Sequence, residues 1–260
     1  MLEFLYYIFI FIIGLSFGSF LNAWIYRTRE NIRISNDRSF CPVCHHNLHW
    51  YDNIPLFSYF ILLHGKCRYC KNQISGFYPL IEFITAIVFV FVAAIYPNSY
   101  LIIFSPELIR DLIVAYLLIF IFIYDLRYQE ILDRVTVIPA ILLFAFSLSM
   151  GWFSWQDMAL GAVIGGGFFW AQYILSGGKW IGGGDIRMGV FMGIILGWQN
   201  VIFALLLAYV LGAIVSLFLL ALKKSNIKSE VPFGTFLALA TFVAMFWGSQ
   251  IVSWYLGLLV

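Results

Sequence analysis

Two aspartates and four cysteines are the residues of this chain whose types and spacing could do chemistry. Asp125 closes an apolar run in IFIYDLRYQEILD, and Asp185 precedes another in KWIGGGDIRMGVFMG. A carboxylate at a bilayer edge is costly unless it is paired, solvated or used. Two carboxyls that meet do not both ionise readily, so one keeps a proton while the other stays an anion. A water held between them becomes a nucleophile. The anion takes its proton, and the neutral acid donates a hydrogen bond to the carbonyl under attack. That chemistry fits hydrolysis of a peptide bond. The cysteines stand as CPVC (Cys41, Cys44) and CRYC (Cys67, Cys70), with twenty-two residues between the pairs. Two Cys-x-x-Cys pairs so spaced fit a four-thiolate zinc site, each pair forming one knuckle. Four thiolates fill a tetrahedral shell, so such a zinc is structural. Reduced, uncoordinated thiols are the alternative, and disulfides are disfavoured in a cytoplasmic loop.

The elements that must position these groups follow from composition. The 260 residues are 63% apolar and 11% charged, against about a quarter charged in soluble domains. Such a chain is an all-α polytopic membrane protein, because helices satisfy their own backbone in lipid. Apolar windows predict about eight transmembrane helices: 4–25, 79–97, 107–124, 135–151, 158–176, 186–198, 200–222 and 233–258. The first lacks a basic start and a small-x-small site after it, so it is expected to be an anchor and not a cleaved signal. Basic residues crowd alternate loops. They are Arg27, Arg29, Arg33, Arg38, Lys66, Arg68 and Lys71, then Arg127 and Arg134, then Lys179 and Arg187, then Lys223, Lys224 and Lys228. By the positive-inside rule these loops face the cytoplasm and the N-terminus lies outside. Asp125 and Asp185 then share the cytoplasmic side. The net charge of +2 says little by itself; the bilayer is the expected environment, and no nucleic-acid partner is expected.

Three domains are expected: a first transmembrane helix at 1–25, a cytoplasmic four-cysteine zinc-binding domain at 26–78, and a multi-helix membrane domain at 79–260. The loop also holds all four histidines, His45, His46, His49 and His64, which read as surface polar residues. A segment this small buries too little apolar area to fold alone, and metal binding would supply the missing stability.

Other features have blander readings. The glycines of GGGD, Gly182 to Gly184, permit positive φ or close approach of another segment. Without further context they are a flexible loop before a helix. Gly161, Gly165, Gly166 and Gly167 lie within an apolar span and predict a close helix-packing face. Asp133 precedes a span and reads as an N-terminal cap. Asp125 follows one, where the helix dipole opposes an acid, so capping its own helix explains it poorly. Glu82 lies near the start of the second span and is expected to pair with an arginine, or else to bind a cationic amine. Asn22 and Trp50 read as interface packing, or else as pocket-lining groups.

Several ordered motifs together resemble the bacterial type IV prepilin peptidases, membrane aspartic proteases of the GxGD type. They are GSFLNAWIYR (Gly18–Arg27), the cysteine segment running to Glu82, Asp125 with Asp133 in a D-x7-D arrangement, GGGD ending at Asp185, and PFGTFLALA (Pro232–Ala240). The resemblance implies an endopeptidase of the bacterial inner membrane. It would remove the short basic leader of prepilins or pseudopilins with Asp125 and Asp185. It also implies methylation of the new N-terminus from S-adenosylmethionine, although no nucleoside-binding fold is legible in the chain. Where the family often has Ile/Leu-Pro-Asp, this chain has Ile131-Leu132-Asp133. It has Thr235 at a place commonly proline, and Arg187 at one often lysine. Two rival classes are an ion-coupled transporter and a non-enzymatic assembly scaffold with a zinc module. A transporter would keep its acids near the midplane, commonly with internal repeats; a scaffold leaves the edge carboxylates unexplained.

Overall fold

A computed structural model describes residues 1–34, 38–96, 105–222 and 231–258. The basic cluster Lys223, Lys224 and Lys228, and the expected loop near Asn98, lie outside the described residues. The described chain is helical: α1 (Leu2–Arg29), α2 (Phe77–Ile95), α3 (Pro106–Tyr128), α4 (Asp133–Met150), α5 (Trp155–Ser176), α6 (Gly183–Ala221) and α7 (Phe233–Gly257). Single turns at Trp50–Asn53 and Ser58–Leu62 punctuate the loop after α1. The only extended pairings among the described residues are two isolated bridges, Phe40 with Asn47 and Lys66 with Gln73.

Six of these helices, all but α3, are long and apolar enough to cross a membrane. Their outward side chains are large and apolar, for example Phe9 and Ile12 on α1, Ile141 and Leu142 on α4, and Leu206, Leu217 and Phe218 on α6. That surface suits lipid. The chain is a multi-pass membrane protein. α3 differs because it carries Arg110, Asp111, Asp125 and Arg127, yet most of its side chains from Leu112 to Asp125 are buried. Asp111 and Asp125 are themselves buried, so protein shields these two acids. α6 has 39 residues, about 58 Å of helix at 1.5 Å per residue, nearly twice the hydrocarbon thickness. It breaks at Gly197, whose φ of 72° and ψ of 175° are not helical. A β-carbon there would lie 2.7 Å from an Asp157 carboxylate oxygen. The other oxygen of Asp157 faces the Trp198 N–H, at 3.4 Å, where helix resumes. Counting α6 as two gives eight helical segments, but the described helices long and apolar enough to cross a membrane number six, against the about eight transmembrane helices expected.

The chain divides within α3 into two compact units, Met1–Tyr116 and Leu117–Val260. In the first unit α1 lies against α2 through Gly14 and Gly18. A β-carbon at Gly14 would be 2.5 Å from the Ala86 Cα, and one at Gly18 would be 2.6 Å from the Glu82 Cα. In the second unit α5 and α6 pack backbone to backbone. β-Carbons at Gly161 and Gly165 would strike the carbonyls of Gly193 and Gly189, and Gly166 receives Val190. The expected glycine face thus forms, except that Gly167 points into open space.

Candidate active site

Asp125 sits in the last turn of α3, where its own helix dipole is unfavourable. The second unit answers this with another helix. The N-terminus of α7 meets Asp125, and the Thr235 N–H donates to its Oδ2 at 2.8 Å. The Gly234 N–H bonds to the same carboxyl. These first-turn amides have no intrahelical acceptor, and a helix N-terminus favours an anion. Asp125 is thus 4% exposed and still hydrogen-bonded. The close approach requires glycine at 234: a β-carbon there would be 2.8 Å from Ile131 Cδ1 and 2.9 Å from the Asp125 carboxyl carbon.

Asp185 occupies the third residue of α6, so the helix begins before the expected residue 186. Its Oδ2 accepts the Gly182 N–H at 3.1 Å, while its own N–H donates to the Gly182 carbonyl at 3.1 Å. This reciprocal closure starts the helix in the manner of a capping box. The triglycine does not adopt positive φ: Gly182 stands at −79°. What glycine provides is proximity. A β-carbon at Gly184 would lie 3.0 Å from Ile131 Cβ, so Ile131 touches both Gly184 and Gly234. The two aspartates consequently share one end of the unit, near enough for the charge of Asp125 to act on Asp185. Asp185 is partly exposed, which gives water access to the pair. Tyr209 of α6 also senses the Asp185 charge, and its hydroxyl donates to Gln172 of α5 at 2.8 Å.

Asp133 stays outside this pair. It is the first residue of α4, whose cap position is Leu132, and it forms an ion pair with Arg187. The expected N-cap role is therefore replaced by a tie between α4 and α6. Arg187 Nε also donates to the Gly183 carbonyl at 3.0 Å, so this arginine braces the glycine turn.

The cysteines of the first unit converge. Their four sulfurs lie within 4.8 Å of one another, and Cys41 Sγ is 3.9 Å from Cys70 Sγ. Four sulfurs bound tetrahedrally at about 2.3 Å would stand about 3.8 Å apart, so the set fits a metal ion. The knuckles match residue for residue. The His45 N–H donates to the Cys41 carbonyl at 2.9 Å and the Lys71 N–H to that of Cys67 at 3.0 Å. The Cys41 N–H reaches the His46 carbonyl, and the Cys67 N–H that of Asn72. His45 and Lys71 take φ of 55° and 60° to make these turns. Burial pushes the Cys67 thiol up, but the Cys70 and Tyr69 amides and the neighbouring thiols outweigh it and bring it down to about 7. At Cys70 the Asn72 amide pulls down, yet burial and the other thiols raise the group to about 11. Four thiols this close cannot all ionise cheaply without a cation among them. All four histidines are exposed, as expected. Buried Asp52 locks the second knuckle by accepting Arg68 Nε and Nη2 at 3.0 and 2.8 Å.

Glu82 is 8% exposed. Its Oε2 accepts the Leu56 N–H at 2.9 Å, and Ser19 also bonds to it. No arginine reaches it among the described residues, so the expected ion pair does not form. Leu56 takes φ of 58° to deliver its amide, and nothing in the residue types foreshadows that. Asn22 donates to the Tyr78 carbonyl at 3.0 Å, as an interface residue should, whereas Trp50 is 79% exposed and packs little.

Two segments of the chain match known protein families. Residues 12–96 match the bacterial peptidase A24 N-terminal domain, and residues 112–217 match the type IV leader peptidase family. A protein of Aeromonas salmonicida named prepilin leader peptidase/N-methyltransferase is 30% identical, covering 98% of this chain and 96% of its own length. Proteins of the same name from Aeromonas hydrophila and Pseudomonas aeruginosa are each 31% identical, covering 98% and 94% of this chain and 95% and 91% of their own lengths. No solved structure gives a significant match. On the likeness of both segments and of nearly its whole length to these relatives, the chain belongs to the type IV leader peptidase family.

Proposed function

We propose that this protein is an aspartic endopeptidase that removes the leader of prepilins or pseudopilins and then methylates the exposed amine. The observation that carries the peptidase reading is the convergence of Asp125 and Asp185 at one end of the second unit. One carboxyl accepts a proton from water as the water attacks the scissile carbonyl carbon. The other, protonated, donates to the carbonyl oxygen. The tetrahedral species then collapses, and the leaving nitrogen takes a proton. Gly184 and Gly234 keep the approaches to both acids narrow. The charge pattern supports a cytoplasmic-facing site in the bacterial inner membrane, with the N-terminus outside. There the basic leader of a substrate would lie in the cytosol and its apolar segment in lipid.

Residues 79–260 would carry the hydrolysis, and residues 26–78 would be a zinc-knuckle domain. Cys41, Cys44, Cys67 and Cys70 would bind zinc as thiolates, and the metal would hold the loop in its fold. S-Adenosylmethionine would supply an electrophilic methyl group to the second activity. Purified chain in detergent, given a synthetic prepilin, should yield a shortened peptide by mass spectrometry, and Asp125→Asn or Asp185→Asn should abolish it. Normal processing by either folded variant would refute the dyad.

A further inference from the structure

The first unit holds a partly open cavity of about 370 Å³, within the range of small-molecule sites. It lies between the end of α1, the start of α2 and the cysteine loop, and its lining includes Asn22, Ala23, Tyr26, Arg27, Asp52 and Glu82. Most of the buried polar groups there are accounted for inside the protein. Asn22 holds a carbonyl, Arg27 donates to the carbonyls of Ile34 and Arg38, and Asp52 is bound by Arg68. Glu82 is hydrogen-bonded too, but among the described residues no opposite charge pairs with it. It is a buried acid whose partners, Leu56 N–H and Ser19, are neutral. A buried carboxylate held only by neutral donors is costly, and a cation brought beside it relieves that cost. Tyr26, Phe40, Tyr59 and Tyr78 also line the space, and aromatic rings accept a cation or a flat base.

We infer that this cavity is the binding site for the sulfonium methyl donor, with Glu82 as the counter-charge that makes it prefer the cationic donor to the neutral thioether left after transfer. The inference rests on the methyltransferase reading above. It assigns Glu82 a discriminating role that a merely structural acid would not have. A sulfonium and its thioether product differ by one methyl group and one positive charge, so an anion in the wall distinguishes them while the cavity's shape does not.

The test measures dissociation constants of S-adenosylmethionine and S-adenosylhomocysteine by equilibrium dialysis on the full chain. Glu82→Gln keeps an oxygen for the Leu56 N–H, and an unchanged thermal midpoint verifies its fold. It should weaken the sulfonium ligand at least about tenfold, the size of a modest charge interaction, and the thioether less than about threefold. Ala23→Phe, which fills the cavity, should weaken both at least about tenfold. An unchanged ratio of the two affinities in Glu82→Gln overturns the assignment of Glu82, and unchanged binding in Ala23→Phe overturns the cavity as the site. If the unaltered protein binds neither ligand and methylates no peptide, the methyltransferase reading itself fails. If it methylates while both variants bind normally, only this inference falls.

Discussion

The two thiol knuckles are held by bonds made within a few residues, whereas the two aspartates are held by bonds and contacts gathered from three helices and the linker between α3 and α4. Each knuckle closes on itself through bonds to the two residues after its second cysteine. Asp125, by contrast, depends on Thr235, 110 positions away. Its link to Asp185 runs through Ile131, which fits only because residues 184 and 234 have no side chains. A thiol cluster of the first kind can assemble within a small loop, but an acid pair of the second kind exists only once the helices have packed.

Substitutions ordered by their effect on leader cleavage test that contrast. Asp125→Asn and Asp185→Asn should each lower the rate by about 10²–10⁴-fold, the usual scale for removing a proton-transfer group. The amide oxygen still accepts the Thr235 or Gly182 amide, so thermal unfolding should move little. Gly234→Ala comes next. Its methyl would displace Ile131 or the Asp125 carboxyl, and misplacement by about 1 Å costs up to about 100-fold. A peptide-cleavage assay on folded protein should therefore show a loss of at least about tenfold. Wild-type activity there would mean that the close approach is not needed. Thr235→Pro removes one amide donor at a position in the first turn of α7, where proline is tolerated. One hydrogen bond is worth about 1 kcal/mol, so cleavage should change by about fivefold.

Cys41→Ser and Cys67→Ser should have the smallest effect on cleavage, within about threefold, while bound metal measured by elemental analysis falls sharply. Protease digestion should then cut within 26–78 before it cuts the helices. The same metal should be lost as pH falls, because protons compete for the thiolates. Equal and complete loss of cleavage and metal in folded protein would erase the division between the regions.

The legibility of the two regions in the sequence differs for the same physical reason. The Cys-x-x-Cys spacing encodes its own turn, so spacing alone groups Cys41, Cys44, Cys67 and Cys70. The aspartates are legible in two ways: Asp125 as an acid that ends an apolar helix without a local explanation, and both through the D-x7-D and GGGD motifs that carry the family resemblance. Why Asp125 tolerates burial is not legible, since the answer is the start of α7. Nor is the fate of Glu82, because a backbone amide at an unusual φ carries no signature in residue type. The Gly14–Gly18 contact could have been read from small residues four apart. The break in α6 is visible as the gap between two apolar windows around Gly197.

The glycine seam between α5 and α6 has a consequence for how a peptide gets in. With backbone atoms in direct contact at Gly161, Gly165, Gly189 and Gly193, those helices move as one stiff hairpin. Asp185 rides on it as a fixed post. A substrate strand therefore meets a rigid wall on the Asp185 side and, on the Asp125 side, only the α7 entrance and the Ile131 linker.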